Sequence, residues 1–278
     1  NDATTLYIDP AEGDLRQVSS IGDTYTGVYT LNQMSIIGKA RMFSSDRLVM
    51  NNELIIDGSS LHTDNNDITA DKITVKNGGY INHLGATITT TYKVVLNAAT
   101  SLTIDSTSKI DVSGRGYLGS YQGTNNSNNG RTYGNTTTGG SGQYTGGSYG
   151  GLGGVVNGSA NAVYGDLMNP SEIGSGGGGT SNSDSHGGNG GGLVRVTAGT
   201  LTLDGSIVAD GGGGSGSWGS GGSGGGIHIN TGTISGSGTI SAKGAGSTSA
   251  GGGGGGRIAI FYDTLELPTA NVIAAGGI

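Results

Sequence analysis

The chain of 278 residues has no cysteine, three prolines, one tryptophan and two phenylalanines. Without cysteine there is neither a disulfide framework nor a thiolate metal site, while the compartment stays open because an exported protein can do without disulfides. The scarcity of proline excludes collagen, as does the irregular spacing of the glycines. No stretch approaches the ~20 apolar residues of a transmembrane helix, so membrane insertion is not expected. Charged residues make up 12% and the formal net charge is -7, which leaves no basic footprint for a nucleic acid. The chain starts Asn1-Asp2-Ala3 without an apolar leader and reads as a processed form or an excised segment.

What the chain has is glycine: 61 residues, roughly a fifth against a usual ~7%. Glycine has no side chain to bury and loses the most backbone freedom on folding, so the apolar residues must be concentrated in part of the sequence. They recur there in register. Residues 194–211 (VRVTAGTLTLDGSIVADG) align without a gap on residues 227–244 (IHINTGTISGSGTISAKG) at an offset of 33. A further copy starts at Ile258 and needs one inserted residue before Val272; an earlier one runs from Val94 to Gly114. Each copy carries apolar pairs separated by one residue, the strand period, in stretches too short for a helix. A shorter version lies upstream, where Leu54, Ile73 and Leu102 are equivalent at spacings of 19 and 29.

Several short strands per repeat, with apolar positions recurring in register, predict an all-β parallel solenoid, because each coil buries its apolar face against the next. The predicted inward column is Leu54, Ile73, Leu102, Leu201, Ile234 and Leu265. Glycine runs at 211–214, 219–226 and 251–256 all fall between the third strand of one repeat and the first strand of the next. They are expected to leave the solenoid at one corner, as a stacked layer of extended polyglycine-II-like chains or as mobile loops. The solenoid spans 48–278, with a Gly/Asn/Tyr-rich insertion at about 115–192 pinned by the apolar stretch from Val163. Residues 1–47 fit the repeat least well. Met34, Ile36 and Met42 suggest one imperfect coil there, and the segment is expected to cap or flank the solenoid start.

Stretches such as GGSGGGIHINTGTISGSGTISAKG and GGGGGGRIAIFYD, with the VYGD element, resemble the glycine-rich right-handed parallel β-helix proteins of bacterial surfaces over about residues 48–278. The resemblance implies a right-handed parallel β-helix, a secreted or cell-surface location, and a role in adhesion, matrix or fibre building through self-association. A looser similarity links the chain to glycine-rich phage tail-fibre adhesins, whose glycine segments pack as a polyglycine sandwich and present loops to a host receptor. Neither family supplies a catalytic signature that can be placed on these residues.

The glycine runs fail as calcium rolls, since Gly226 in GGSGGGIHI and Gly192 in GGNGGGLVR stand where the ligating aspartate belongs. No lysine follows them as in a phosphate-binding loop. His62, His83, His186 and His228 show no metal-ligand spacing, so neither metal nor cofactor is expected. Asp57, Asp105 and Asp204 take one place in LIIDGS, LTIDST and LTLDGS, and Lys76 aligns between the first two. Small turn residues follow each aspartate, which favours a structural turn ladder of Asx-type bonds; polysaccharide-cleaving carboxylates are the alternative.

Half of the twelve tyrosines lie in the insertion, among asparagines and threonines. Aromatic faces stack on sugars while amides and hydroxyls supply adaptable hydrogen bonds. Tyr121, Tyr133, Tyr144 and Tyr149 are therefore expected to contact a ligand or partner, with surface carbohydrate as a candidate; packing of the insertion on itself is the competing reading. The function expected is a non-enzymatic extracellular structural or adhesive protein. A carbohydrate-active β-helix enzyme and a phage-type receptor-binding adhesin are the alternatives.

Overall fold

A computed structural model describes residues 5–8, 28–44, 47–180 and 184–278. Among these the chain is all-β, without an α-helix, and from the second strand on its strands alternate between two parallel sheets. The first sheet holds β1 (Thr5–Ile8), β2 (Val28–Ile36), β4 (Arg47–Asp57), β6 (Ile68–Lys76), β8 (Val94–Ile104), β10 (Leu193–Leu203), β12 (Gly226–Ser235) and β14 (Arg257–Leu265), in that order. The second holds β3 (Arg41–Ser44), β5 (Ser60–Thr63), β7 (Tyr80–His83), β9 (Lys109–Asp111), β11 (Ser206–Val208), β13 (Thr239–Ser241) and β15 (Val272–Ile273), again in sequence order. No helix among the described residues is long and apolar enough to cross a membrane.

The repeat arithmetic sets the register. Leu54, Ile73, Leu102, Leu201, Ile234 and Leu265 pair in succession along the first sheet, and Leu61, Ile81, Ile110, Ile207, Ile240 and Val272 along the second. The first five of each column are fully buried, and one apolar cluster joins both sheets. Leu265 and Val272, on the last strands, are only partly buried. The register shifts after Met50, Ala70 and Ala198 place a bulge at one level of neighbouring strands. Residues 28–44 continue both sheets, with Met34 opposite Leu54 and Met42 opposite Leu61; the rest of the expected cap in 1–47 lies largely outside the described residues.

The glycine segments connect second-sheet strands to first-sheet strands and form a layer of their own. Successive N–H groups from Gly221 to Gly225 donate to the carbonyls of Gly251, Gly212, Ser175, Gly254 and Ala209. The first and fourth bonds thus reach one neighbouring segment, the second and fifth another, and the third a further one. The same spacing recurs where Gly251 and Gly254 donate to Tyr144 and Gly147, and Gly253 and Gly256 to Ala245 and Ala242. At Gly177 close approach leaves no room for a side chain: a Cβ there would stand 2.6 Å from the carbonyl oxygens of both Gly221 and Ser220. Asn161, buried in the insertion, ties this layer together; its amide donates to Thr132 Oγ1 and to the Ser148 carbonyl, and its Oδ1 accepts from Ser141 Oγ and Ser148 N–H.

His83 clamps the layer to the sheets. Its ring is buried, Nδ1–H donates to the Leu84 carbonyl at 2.6 Å, and Nε2 accepts the Leu193 N–H at 3.2 Å across 110 residues of chain. Burial, aided by the Arg115 charge, outweighs the Leu84 bond and lowers its pKa to about 4. Because the unfolded chain takes up this proton nearer the ordinary value of 6.5, stability is full above pH ~6.5 and declines as the pH falls towards ~4, by about 3 kcal/mol in total. Denaturant midpoints measured across this window should fall with acidification. His62 and His228 are lowered by burial as well, so His83→Gln should flatten the slope without abolishing it; an unchanged slope would remove His83 from this role.

Candidate functional site

The aligned acids sit in turns between the two sheets. Lys76 Nζ lies 3.4 Å from Asp57 Oδ2, while Asn77 Nδ2 donates to Asp57 Oδ1 at 2.8 Å. Asp105 accepts from the main-chain N–H of Asn77 at 2.7 Å and from both the N–H and hydroxyl of Thr107. Asp204 accepts from Ser237 in the next repeat. Burial alone would raise the Asp105 carboxyl, but its hydrogen bonds from Asn77, Ser108 and Thr107 prevail and hold it at about 2. A carboxylate so strongly ionised is a poor general acid near neutrality. Two acids that the aligned turn motif does not include, Asp111 and Asp210, act where chains enter the glycine layer: Asp111 accepts from Ser113 N–H, and Asp210 from Lys243 N–H and Ser241 Oγ.

The four tyrosines fall into two groups at opposite ends of the glycine layer. At the root, near the start of β14, Tyr149 packs at 4.9 Å from Tyr164, and Tyr133 at 5.5 Å from Tyr164 on its other contact. The Arg257 guanidinium stands 5.5 Å from the Tyr149 ring centre and its Nε donates to the Tyr164 carbonyl. Tyr164 donates its hydroxyl to the Ile173 carbonyl and accepts from Ser175 Oγ. Burial pushes the phenols of Tyr149 and Tyr164 upward, and that of Tyr117 to about 12 with help from Glu172. Tyr149 has no exposed surface, so the expectation of ligand contact gives way there to packing: its ring fills the space that the glycines around it leave. Tyr133 is exposed at the rim of the same cluster.

Tyr121 and Tyr144 lie at the other end, in turns remote from the sheets. His186 and Ser215 exchange main-chain bonds there, Ser185 Oγ accepts the Trp218 N–H, and Gly251 N–H donates to the Tyr144 carbonyl. These links gather rings from four separate turns: Tyr121 and His186 at 6.0 Å, Tyr144 and Trp218 at 5.3 Å. Trp218 is 44% exposed. Tyr121 and Tyr144 both have φ of 53°, a left-handed conformation that costs a bulky residue roughly 1 kcal/mol or more. Among the described residues eleven glycines also take a positive φ, as do Lys39, Asn77 and Asn135.

Two cavities flank these groups. One of about 350 Å³ lies between the turns 214–219 and 246–248 of the remote edge. Another of about 300 Å³ opens near the root, between Tyr92 and Lys93 on one side and Glu172 on the other; burial raises the Glu172 carboxyl. No group of three or more His, Asp or Glu among the described residues could hold a metal ion. Comparison of the chain with family models, curated proteins and solved structures gave no match.

Proposed function

We propose that the chain is a non-enzymatic extracellular or cell-surface adhesive protein, built as a right-handed parallel β-helix that carries a polyglycine-II-like layer and makes contact through the remote edge of that layer. The alternation of strands between two parallel sheets supports a closed helical path, and right-handed crossover is the near-universal hand for parallel connections. The three-residue spacing of bonds in the glycine layer is that of a threefold extended helix. The observation that carries the functional reading is the gathering of Tyr121, His186, Trp218 and Tyr144 from separate turns onto one edge. Such rings offer large amphipathic area on rigid supports.

Tyr144→Ala and Trp218→Ala should each cut adhesion to whole cells or to immobilised surface polysaccharide about tenfold, with circular dichroism unchanged. Adhesion equal to the parent in both variants would sink this reading. A carbohydrate-active enzyme is the weaker alternative: a retaining or inverting glycosidase uses a pair of carboxyl groups, whereas Glu172 is the single acid among the described residues that line the root cavity. Self-association belongs to the same proposal, since β14 carries Phe261 and Tyr262 exposed side by side, apolar surface that a second copy would cover. Light scattering should show mass rising with concentration, and Phe261→Lys should suppress the rise.

A further inference from the structure

We infer that the cavity near the root of the glycine layer binds a small zwitterion, one molecule carrying both an ammonium and a carboxylate group. It is a second site, independent of the adhesive edge. The cavity measures about 300 Å³, the small end of ligand sites, which run ~300–1,000 Å³, and so suits a single amino acid or sugar unit. Lys93 and Glu172 are the charged side chains among the described residues that line it. Both are half-buried. Among the described residues neither forms an ion pair, with the other or with a third group. The lining main chain is fixed from behind. Asn65 Nδ2 donates to the Thr91 carbonyl at 2.9 Å and Thr63 Oγ1 to the Lys93 carbonyl at 3.2 Å. The Tyr164 hydroxyl donates to the Ile173 carbonyl at 2.6 Å, and the Leu193 N–H to His83 Nε2 at 3.2 Å. Walls set before a ligand arrives spare it the cost of ordering them.

Opposite charges held apart in one cavity select among ligands. A half-buried carboxylate has given up water without gaining a counter-charge, and burial accordingly raises the Glu172 carboxyl despite a hydrogen bond from Ser171. An ammonium group supplies what it lacks through charge-assisted hydrogen bonds. A plain amine would meet the Lys93 charge in the same cavity, and a plain carboxylate would meet that of Glu172. A molecule with both groups pairs with each side chain and brings no net charge. Sugar hydroxyls can bond to both but offer neither a counter-charge. Beyond the lining the charges are mixed: Asp64 and Asp67 stand either side of Asn65 and Asn66 in the chain, and Arg195, two residues past Leu193, has its guanidinium held by Pro170 and Asn169. That surrounding field favours neither a lone cation nor a lone anion.

The full chain is titrated by calorimetry with glycine, β-alanine and γ-aminobutyrate, which hold the two charges progressively further apart. Ethylamine, propionate and galactose serve as probes with one charge or none. At least one zwitterion should bind about tenfold more tightly than each of these probes. Glu172→Gln and Lys93→Gln should each weaken that zwitterion about tenfold, with the melting temperature of the ligand-free chain unchanged. Lys93→Gln should also raise the affinity for ethylamine, because the repelling charge is gone; a merely structural lysine would not produce that change. Tyr144→Ala, at the far edge of the layer, should leave zwitterion binding intact. Ethylamine, propionate or galactose matching the best zwitterion on the parent chain would overturn the inference, and so would the lack of any zwitterion binding tighter than about 1 mM. These parent titrations decide the matter even where a variant does not fold. Failure here leaves the adhesive edge standing, whereas cell adhesion unaffected by Tyr144→Ala and Trp218→Ala would remove that edge and leave this site in place.

Discussion

Gly177→Val is expected to destroy the glycine layer, with a loss of at least about 3 kcal/mol. Ordinary overpacking costs ~1–3 kcal/mol because neighbouring side chains can shift. Here the obstruction is main chain: a Cβ would stand 2.6 Å from two carbonyl oxygens, and the segments that carry them are themselves hydrogen-bonded on several sides. Moving them apart also breaks the Gly177 N–H bond to Gly188 and the Ser120 N–H bond to Gly177, each worth ~0.5–1.5 kcal/mol. The matched control is Gly213→Ala, where nothing lies within 4 Å of the added carbon and the change should stay within about 0.5 kcal/mol. Thermal melts of both variants settle the matter, and equal melting temperatures would show that the layer is loose rather than close-packed.

Ile234→Asp should prevent folding of the sheets. Ile234 is fully buried between its register neighbours Leu201 and Leu265, and the surrounding cluster is apolar. The substitution removes burial worth ~2–5 kcal/mol and adds an unpaired carboxyl that must desolvate or take up a proton, for several kcal/mol more. The sum approaches or exceeds the 5–15 kcal/mol stability of an ordinary domain. Far-ultraviolet dichroism should lose its strand signal, whereas Ile234→Val should cost only about 1 kcal/mol. A cooperative melt from the aspartate variant would show that this column tolerates water.

The strand register was legible because apolar alternation repeats at offsets that a parallel stack converts directly into pairing: the 33-residue offset reappears as Val194 opposite Ile227, and the inserted residue as Ile240 opposite Val272. Glycine segments carry no such code. Nothing in a run of glycines states which other run it will bond, so neither the separation of Tyr149 from Tyr144 nor the meeting of Tyr144 with Trp218 could be read in advance. Trp218 lies in the 211–226 connection, outside the tyrosine-rich insertion, and its only signal in the sequence is a lone indole at the turn between two glycine runs. Asn161 is likewise one asparagine among many in the sequence; only the fold encloses its amide in hydrogen bonds with Ser141, Ser148 and Thr132.

The periodic bonding of the glycine segments also restricts how such a protein can change length. From Gly221 to Gly225 the direction of each donor returns after every third residue, so one extra glycine would rotate all later donors of that segment by a third of a turn, towards neighbours whose carbonyls are already engaged. Two would do the same in the other sense. Three would restore every direction and carry the terminal turn outward by about 9 Å. Lineages built on this plan should therefore gain and lose glycine in triplets within segments. The layer then behaves as a ruler with fixed graduations.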